Sequence, residues 1–148
     1  MGLKTGDTAL VPLVATGATE FYPALSPDGH WLAYGSNESG TMEVYVRPFP
    51  ETATAKWQVS TAGGSEPVWA NSGRELFYIN GRGEMVAAEI RPAAAAVSVG
   101  EQHVLFSTAA FVRFGSFPSY AVAPDDRRFL MVREGDASQQ GEMVVAEN

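Results

Sequence analysis

The side chains with the clearest chemical potential are glutamates that lie next to polar or turn-forming residues. Glu20, Glu38 and Glu66 each stand at the edge of an apolar run. Carboxylate oxygens bind hard cations such as Ca²⁺, and a group of carboxylates attracts a basic peptide. Their spacing forms no compact ligand motif, which favours a set of solvated polar loops over a cation or peptide site. Polar segments of the same kind contain three further residues that could share in binding a ligand: Tyr22, Asn37 and Arg82.

A second candidate is an aromatic segment around one arginine. Residues 107–118 contain Phe111, Phe114 and Phe117, with Arg113 between the first two. Aromatic rings beside a charged group are typical of protein contacts and of ligand pockets. We expect this segment to form a contact between two copies of the chain. An aromatic ligand pocket that uses Arg113 and Phe114 is the alternative.

Histidine is the remaining source of metal-binding or proton-transfer chemistry. The chain has two histidines and no cysteine, which excludes disulfides, thiolate zinc sites and cysteine nucleophiles. His103 has the sequence context of an exposed outer strand, and His30 that of a surface turn. If a divalent cation such as Ca²⁺ or Zn²⁺ binds, the candidate ligands are Glu20, Glu66 and His103. No Gly-x-Ser-x-Gly motif occurs, which disfavours a serine hydrolase.

Composition limits the class of protein and its partners. The 148 residues fit one domain, and 45% hydrophobic residues are enough for a core. The net charge of −7 repels polyanions, so we expect no nucleic-acid partner. No apolar stretch approaches the roughly 18 to 20 residues that span a bilayer, and the start lacks the apolar region of a signal peptide. We therefore expect a soluble chain without membrane insertion.

Short strands must position these candidate residues. Fifteen glycines and nine prolines interrupt the chain, and the apolar runs between them have the length of strands rather than helices. The pattern predicts an all-β fold. The only helix-friendly stretch, residues 91–96, begins with Arg-Pro and continues with four alanines. We expect it to be an irregular connection.

An internal repeat organises the strands. Residues 23–34, 67–78 and 120–131 align, so that Leu25, Trp69 and Val122 hold one position at separations of 44 and 53 residues. A second echo repeats Gly-Glu-Met-Val from residue 83 at residue 141. Each unit predicts a strand, a tight turn and further strands, and a repeat of this length indicates stacked supersecondary units.

The run Ser26-Pro27-Asp28-Gly29 followed by an apolar strand, at this period, resembles the WD40-like (PD40) repeats of TolB-type β-propellers. Within that group the chain is similar to the propeller segments attached to bacterial serine/threonine kinases. The second unit has Asn71-Ser72 in place of Pro-Asp, and the third has Asp126 in place of Gly. The resemblance implies four-stranded blades around a channel, and a bacterial protein of the cytoplasm or periplasm.

Strand counting predicts how the blades are divided along the chain. The whole chain, residues 1–148, is expected to be a single half-propeller domain. Blade one covers residues 19–62, blade two covers residues 63–118 with a long final connection, and residues 119–148 supply three strands of blade three. Residues 1–18 are expected to give a fourth strand to the last blade of a second copy.

Three blades cannot close a ring, because propellers typically contain four to eight. An open arc would expose apolar sheet faces and an unpaired strand edge. We therefore predict a C2 homodimer that forms a six-bladed propeller. The alternative is a fragment that associates only because it was cut from a longer chain.

Function is predicted from the loops that gather around the channel. They carry the three candidate glutamates and the acidic residues Glu134 and Asp136. We expect a non-catalytic module that binds a protein or a small ligand on this face. The alternative is a metal-dependent hydrolase, similar to phosphotriesterases or lactonases, with its site in the channel of the dimer. A third possibility is a purely structural half-propeller.

Overall fold

The computed structural model describes residues 11–133, 135 and 141–147. These residues form eleven β-strands and no helix, so the all-β prediction is confirmed. The strands are β1 (Glu20–Leu25), β2 (Trp31–Ser36), β3 (Glu43–Pro48), β4 (Trp57–Gln58), β5 (Gly64–Trp69), β6 (Glu75–Asn80), β7 (Glu84–Ala93), β8 (Ala96–Ser107), β9 (Tyr120–Val122), β10 (Arg128–Arg133) and β11 (Glu142–Glu147).

The strands form three antiparallel sheets, each from strands that follow one another along the chain. The first sheet has the order β1-β2-β3-β4, the second β5-β6-β7-β8, and the third, with three strands, β9-β10-β11. We call these sheets blades one, two and three. The face of a blade that points to the following blade is its forward face, and the opposite face is its back face.

The turn between the first two strands of blade one shows why this motif makes a hairpin. Asp28 accepts a hydrogen bond from the backbone amide of His30 at 3.0 Å, and the Ser26 hydroxyl accepts one from the amide of Trp31 at 3.0 Å. Gly29 has a φ of 74°, in the left-handed region that glycine adopts without strain. Side chains and backbone therefore close the turn together.

Blades one and two pack face to face over the largest apolar cluster. The forward face of blade one contributes Ala33, Val44 and Val46, and the back face of blade two contributes Leu76 and Tyr78, all buried. All six residues of β2 are buried. This strand is therefore enclosed on both faces.

Blades two and three repeat this arrangement. Phe77 and Met85 on the forward face of blade two pack against Phe129 and Met131 of blade three. The rings of Phe77 and Phe129 meet edge to face, with centroids 4.9 Å apart, a favourable geometry for aromatic pairs. The core therefore consists of two similar layers between three sheets.

The two outer faces of the stack differ in how they are covered. On the back face of blade one, Leu32, Tyr34 and Tyr45 pack against Val14, which precedes the first strand. The carbonyl oxygen of Leu13 accepts a hydrogen bond from the Thr52 hydroxyl. The forward face of blade three instead exposes a row of apolar side chains in this single chain. These are Leu130, Met143 and Val145, which are 41%, 68% and 57% exposed.

Residues 91–96 differ from the sequence prediction. They are not an irregular connection, because β7 continues to Ala93 and β8 begins at Ala96, with Arg91 opposite Ser98 in the register. The two strands already pair along their length, so extending the hairpin adds cross-strand bonds that outweigh the weak helical preference of a short alanine run.

The predicted division into domains remains a prediction. Residues 1–10 lie outside the described residues, and so do Glu134 and Asp136 of the predicted loop face. Residues 12–19 belong to no strand in the described chain. Val14 and Leu13 make their contacts with blade one of the same chain.

Candidate functional site

Equivalent positions of the three blades meet at one end of the stack. Tyr22 and Glu66 lie 44 residues apart, each at a register shift in the first strand of its blade. Their φ angles are 57° and 56°, a left-handed conformation that costs free energy in residues other than glycine. Ser119 follows Glu66 by 53 residues and is the third equivalent position. A bulge of this kind re-aims the side chain it carries.

Glu66, whose side chain is buried, forms an ion pair with the partly exposed Arg113 at this end. Its side chain is 1% exposed, and Oε1 accepts hydrogen bonds from Arg113 Nε at 2.8 Å and Nη2 at 2.5 Å. Oε2 accepts one from the backbone amide of Ser119 at 2.6 Å. Arg113 Nη2 also donates to the Ser65 hydroxyl at 3.0 Å. With Tyr22 and Tyr120, these residues form what we call the channel-end cluster.

Two tyrosine hydroxyls lie within the electrostatic influence of Glu66. Tyr120 is buried and donates to the Glu66 carbonyl at 2.7 Å. Burial, and then the negative charge of Glu66, raise the pKa of Tyr120 well above its ordinary value. Burial and Glu66 also raise the pKa of Tyr22, although Arg113 opposes them. Both phenols therefore stay protonated as hydrogen-bond donors at neutral pH.

The channel-end cluster holds the connection between blades two and three, residues 108–118, which we call the Phe loop. Tyr22 donates to the Gly115 carbonyl at 2.7 Å, and the amide of Phe114 donates to the Ser119 hydroxyl at 2.7 Å. Phe114 is 47% exposed and Phe117 is 72% exposed. The loop is thus tied to the inner strands while it presents two aromatic rings to solvent.

Glu20, Asn37 and Glu38 lie near one another in blade one but do not join Glu66. Glu20 accepts a hydrogen bond from the Thr16 hydroxyl. The Asn37 side chain accepts one from the amide of Thr19 at 2.9 Å. Glu38 pairs with Lys56 Nζ at 2.8 Å. These contacts fix loops of blade one and neutralise Glu38.

Arg82 and His103 stand apart from the cluster as well. Arg82 is exposed in the turn between β6 and β7, where its amide donates to Asn80 Oδ1 at 2.9 Å. His103 lies on β8 with its Nε2 atom 3.3 Å from Glu101 Oε2, and the two side chains are 66% and 80% exposed. The described residues contain no group of three His, Cys, Asp or Glu side chains placed to hold a metal ion.

A groove of about 510 Å³ opens on the back face of blade one. Glu20 is its acidic member, and Leu32, Tyr34 and Phe49 contribute apolar walls together with Leu13. Equivalent positions of blades two and three are covered by the preceding blade, because Leu76 and Phe129 are fully buried there. On blade one, Val14 and Phe49 pack against the corresponding residues instead.

Sequence reasoning found Tyr22, Glu66, Arg113 and Phe114 as single candidates, and the structure brings them together. It missed Ser119 and the part played by Tyr120, which hold Glu66 and the Phe loop in place. The repeat carried the signal for Ser119, because this residue occupies the alignment position of Tyr22 and Glu66.

The sequence matches no protein-family model and no curated protein. Three solved structures are similar in fold. They are an oligogalacturonate lyase from Vibrio parahaemolyticus (TM-score 0.58, 14% identity, 81% of this chain and 31% of that one), TolB from Acinetobacter baumannii (0.56, 12%, 84% and 29%) and a putative TolB from Agrobacterium tumefaciens (0.55, 14%, 88% and 45%).

This chain has the fold of part of a TolB-like β-propeller. It spans less than half the length of each of these three structures. The likeness confirms the predicted propeller fold, whereas attachment to a kinase domain has no support among these matches. Among the residues that the structure describes, no helix is long and apolar enough to cross a membrane.

Proposed function

We propose that this chain is a non-catalytic propeller module that binds a protein or a small ligand at its channel end. The observation that carries the proposal is the Phe loop, which exposes Phe114 and Phe117 while the channel-end cluster fixes its backbone. Aromatic side chains on a fixed backbone lose less conformational freedom on binding than those of a free loop, so they contribute affinity at lower entropic cost.

The electrostatics of the cluster support binding rather than catalysis. Both carboxylate oxygens of Glu66 accept hydrogen bonds, and the guanidinium of Arg113 supplies the opposite charge. A metal ion at Glu66 would have to displace Arg113, a cation already in contact with the carboxylate. Glu66 therefore serves best as the fixed partner that orients Arg113 and, through it, the Phe loop.

We further propose that a second copy completes the ring, giving a C2 dimer of six blades. The support is positional, since the exposed Leu130, Met143 and Val145 of blade three align with residues that blades one and two bury. For Met143 these are Val44 and Met85, both 0% exposed. Covering this apolar face with another blade would remove it from water as in the other two layers.

The binding proposal is tested with peptides selected from a random phage-displayed library on the immobilised chain, and with a small-molecule fragment library observed by ligand-detected NMR. For each selected peptide or fragment, affinity is measured for the wild type, for the double variant Phe114→Ala, Phe117→Ala, and for Val104→Ala. Val104 is a matched control because it is 58% exposed on the outer strand β8.

We expect the double variant to weaken binding at least tenfold and Val104→Ala to leave it within about twofold, in line with the loss of two aromatic anchors. Equal binding to the wild type and the double variant would place the site elsewhere and overturn the proposal. Failure of both libraries to yield any binder would overturn it too.

A further inference from the structure

We infer that residues 11–16 form the outermost strand of blade three in a second copy of the chain, paired along the edge of β11 that no other described strand occupies. This inference deepens the proposed ring closure and rests on it. It assigns the surface through which two copies recognise each other and the register of the strands that meet there.

Val14 occupies the place on blade one that Val59 occupies on blade two. Residues 14–16, Val-Ala-Thr, match residues 59–61, Val-Ser-Thr, and both segments lead into a first strand. Val59 is buried in the apolar layer that contains Tyr78 on the back face of blade two. Val14 packs against the equivalent Tyr34 on the back face of blade one.

The match means that residues 11–16 already lie where the outer strand of a preceding blade would lie. Val59 follows the short strand β4, the outermost strand of the blade before blade two. If residues 11–16 relate to blade one as β4 and Val59 relate to blade two, they belong to a sheet that packs on the back face of blade one. In the described chain that position next to blade one holds this segment and the open groove.

Blade three offers the sheet that is required. In its order β9-β10-β11, the strand β11 forms the outer edge. Its forward face carries Met143 and Val145 at the positions of Val44 and Val46, which face the next blade in blade one. Blade three of one copy can therefore pack against blade one of the other as blade one packs against blade two.

The register follows from blade one. There the amide of Val59 donates to the carbonyl of Val44 at 2.8 Å, and Val46 lies opposite Trp57. Carried over by the alignment, Val14 donates to the partner's Met143, and Pro12 lies opposite the partner's Val145.

One chain cannot make this contact with itself, because blade two separates blade one from blade three. Two copies related by a twofold axis make it twice, and each copy then supplies one strand and accepts one. The contact continues an interface that already occurs between blades of the chain, so the occupant we commit to is a second copy.

The test uses single cysteines, since the natural chain has none. Pro12→Cys and Val145→Cys are prepared separately, mixed, equilibrated and treated with a short bis-maleimide. Both positions are exposed in the single chain, so neither change disturbs its core. Val104→Cys, exposed on β8, replaces Val145→Cys in a control mixture. Light scattering of the untreated proteins gives the mass in solution.

We expect a mass of twice the 15.8 kDa chain, efficient cross-linking of Pro12→Cys with Val145→Cys, and at least tenfold less product in the control mixture and with either variant alone. A dimer in which Val145→Cys cross-links with itself, or in which the mixed pair does not react, would overturn the strand pairing and leave a dimer of another geometry. A stable monomer would overturn ring closure and the strand pairing together.

Discussion

Met85 and Met143 occupy the same place in two copies of one repeated segment, yet their surroundings are opposite. Both follow Gly-Glu and precede Val at the start of the third strand of their blades. Met85 is 0% exposed because blade three covers it, whereas Met143 is 68% exposed on the forward face of blade three. The difference shows that burial in this fold is decided by the neighbouring blade and not by the repeat itself.

Truncating the two methionines should give the largest contrast. Met85→Ala removes a side chain from a packed layer and should lower the free energy of unfolding by about 3 kcal/mol. Met143→Ala removes an exposed side chain and should change it by less than about 0.5 kcal/mol when the chain is dilute. Urea unfolding followed by tryptophan fluorescence measures both.

Repeating the same unfolding at high protein concentration sharpens the contrast. If a second copy covers the forward face of blade three, the cost of Met143→Ala should increase with concentration, because dimerisation stabilises only the folded form. The loss of unfolding free energy caused by Met85→Ala should not depend on whether a second copy covers the forward face of blade three. Equal costs for the two variants in dilute solution would show that Met143 is already covered, and would contradict an open forward face on blade three.

Two ion pairs provide a second contrast, because the glutamate is buried in one and partly exposed in the other. Glu66→Gln removes the charge that balances Arg113, and should cost about 2 kcal/mol, less than for a fully buried pair because Arg113 is 39% exposed. Glu38→Gln breaks the pair with the 38% exposed Lys56 and should cost about 0.5 kcal/mol. Thermal unfolding of both variants shows which one loses more stability. A larger loss of stability from Glu38→Gln than from Glu66→Gln would contradict the prediction.

A smaller, pH-dependent effect on stability is expected at the contact between the first hairpin turns of blades two and three. Asp126 accepts hydrogen bonds from the amides of Asn71 and Ser72 at 2.6 and 3.0 Å. Burial raises the pKa of Asp126, but the hydrogen bonds from Asn71 and Ser72 outweigh it and lower the pKa below the ordinary value of 3.8. The carboxylate therefore stabilises the fold above that value, and this contribution is lost as the pH falls through the lowered pKa.

Asp126→Asn should thus lower stability by about 1 kcal/mol near neutral pH, and the difference from wild type should shrink below about pH 4. Asp28→Asn is the control, since Asp28 bonds within its own turn in blade one. Hydrogen exchange should show faster exchange in β10 for Asp126→Asn and not for Asp28→Asn. A difference between wild type and Asp126→Asn that grows at low pH would contradict the sign.

Much of the fold could be read from local pattern. The hairpin turns before the second strands of blades one and two lie where the repeat places them, because local turn chemistry closes each one: Pro27, Asp28 and Gly29 in blade one, Asn71, Ser72 and Gly73 in blade two. The extension of β7 and β8 through residues 91–96 was missed, because it depends on pairing with a strand that single-sequence propensity does not register.

The candidate site was predictable as residue types but not as a constellation. Glu66 and Arg113 are 47 residues apart, and Tyr22 reaches Gly115 across 93 residues. Contacts at such separations are set by how sheets stack and by the bulges that turn side chains inward, neither of which spacing along the chain encodes. Glu20 and Glu38 looked equivalent to Glu66 for the same reason, and blade one holds them elsewhere.

The amino-acid sequence alone determined that this chain repeats a strand-and-turn unit three times, because turn chemistry and alternating apolar residues act over a few residues. The tertiary structure decided which copy of each repeated side chain is covered and which carboxylate receives a counter-ion. Both depend on the sheet that lies next in space, and only stacking of the blades brings that sheet into contact.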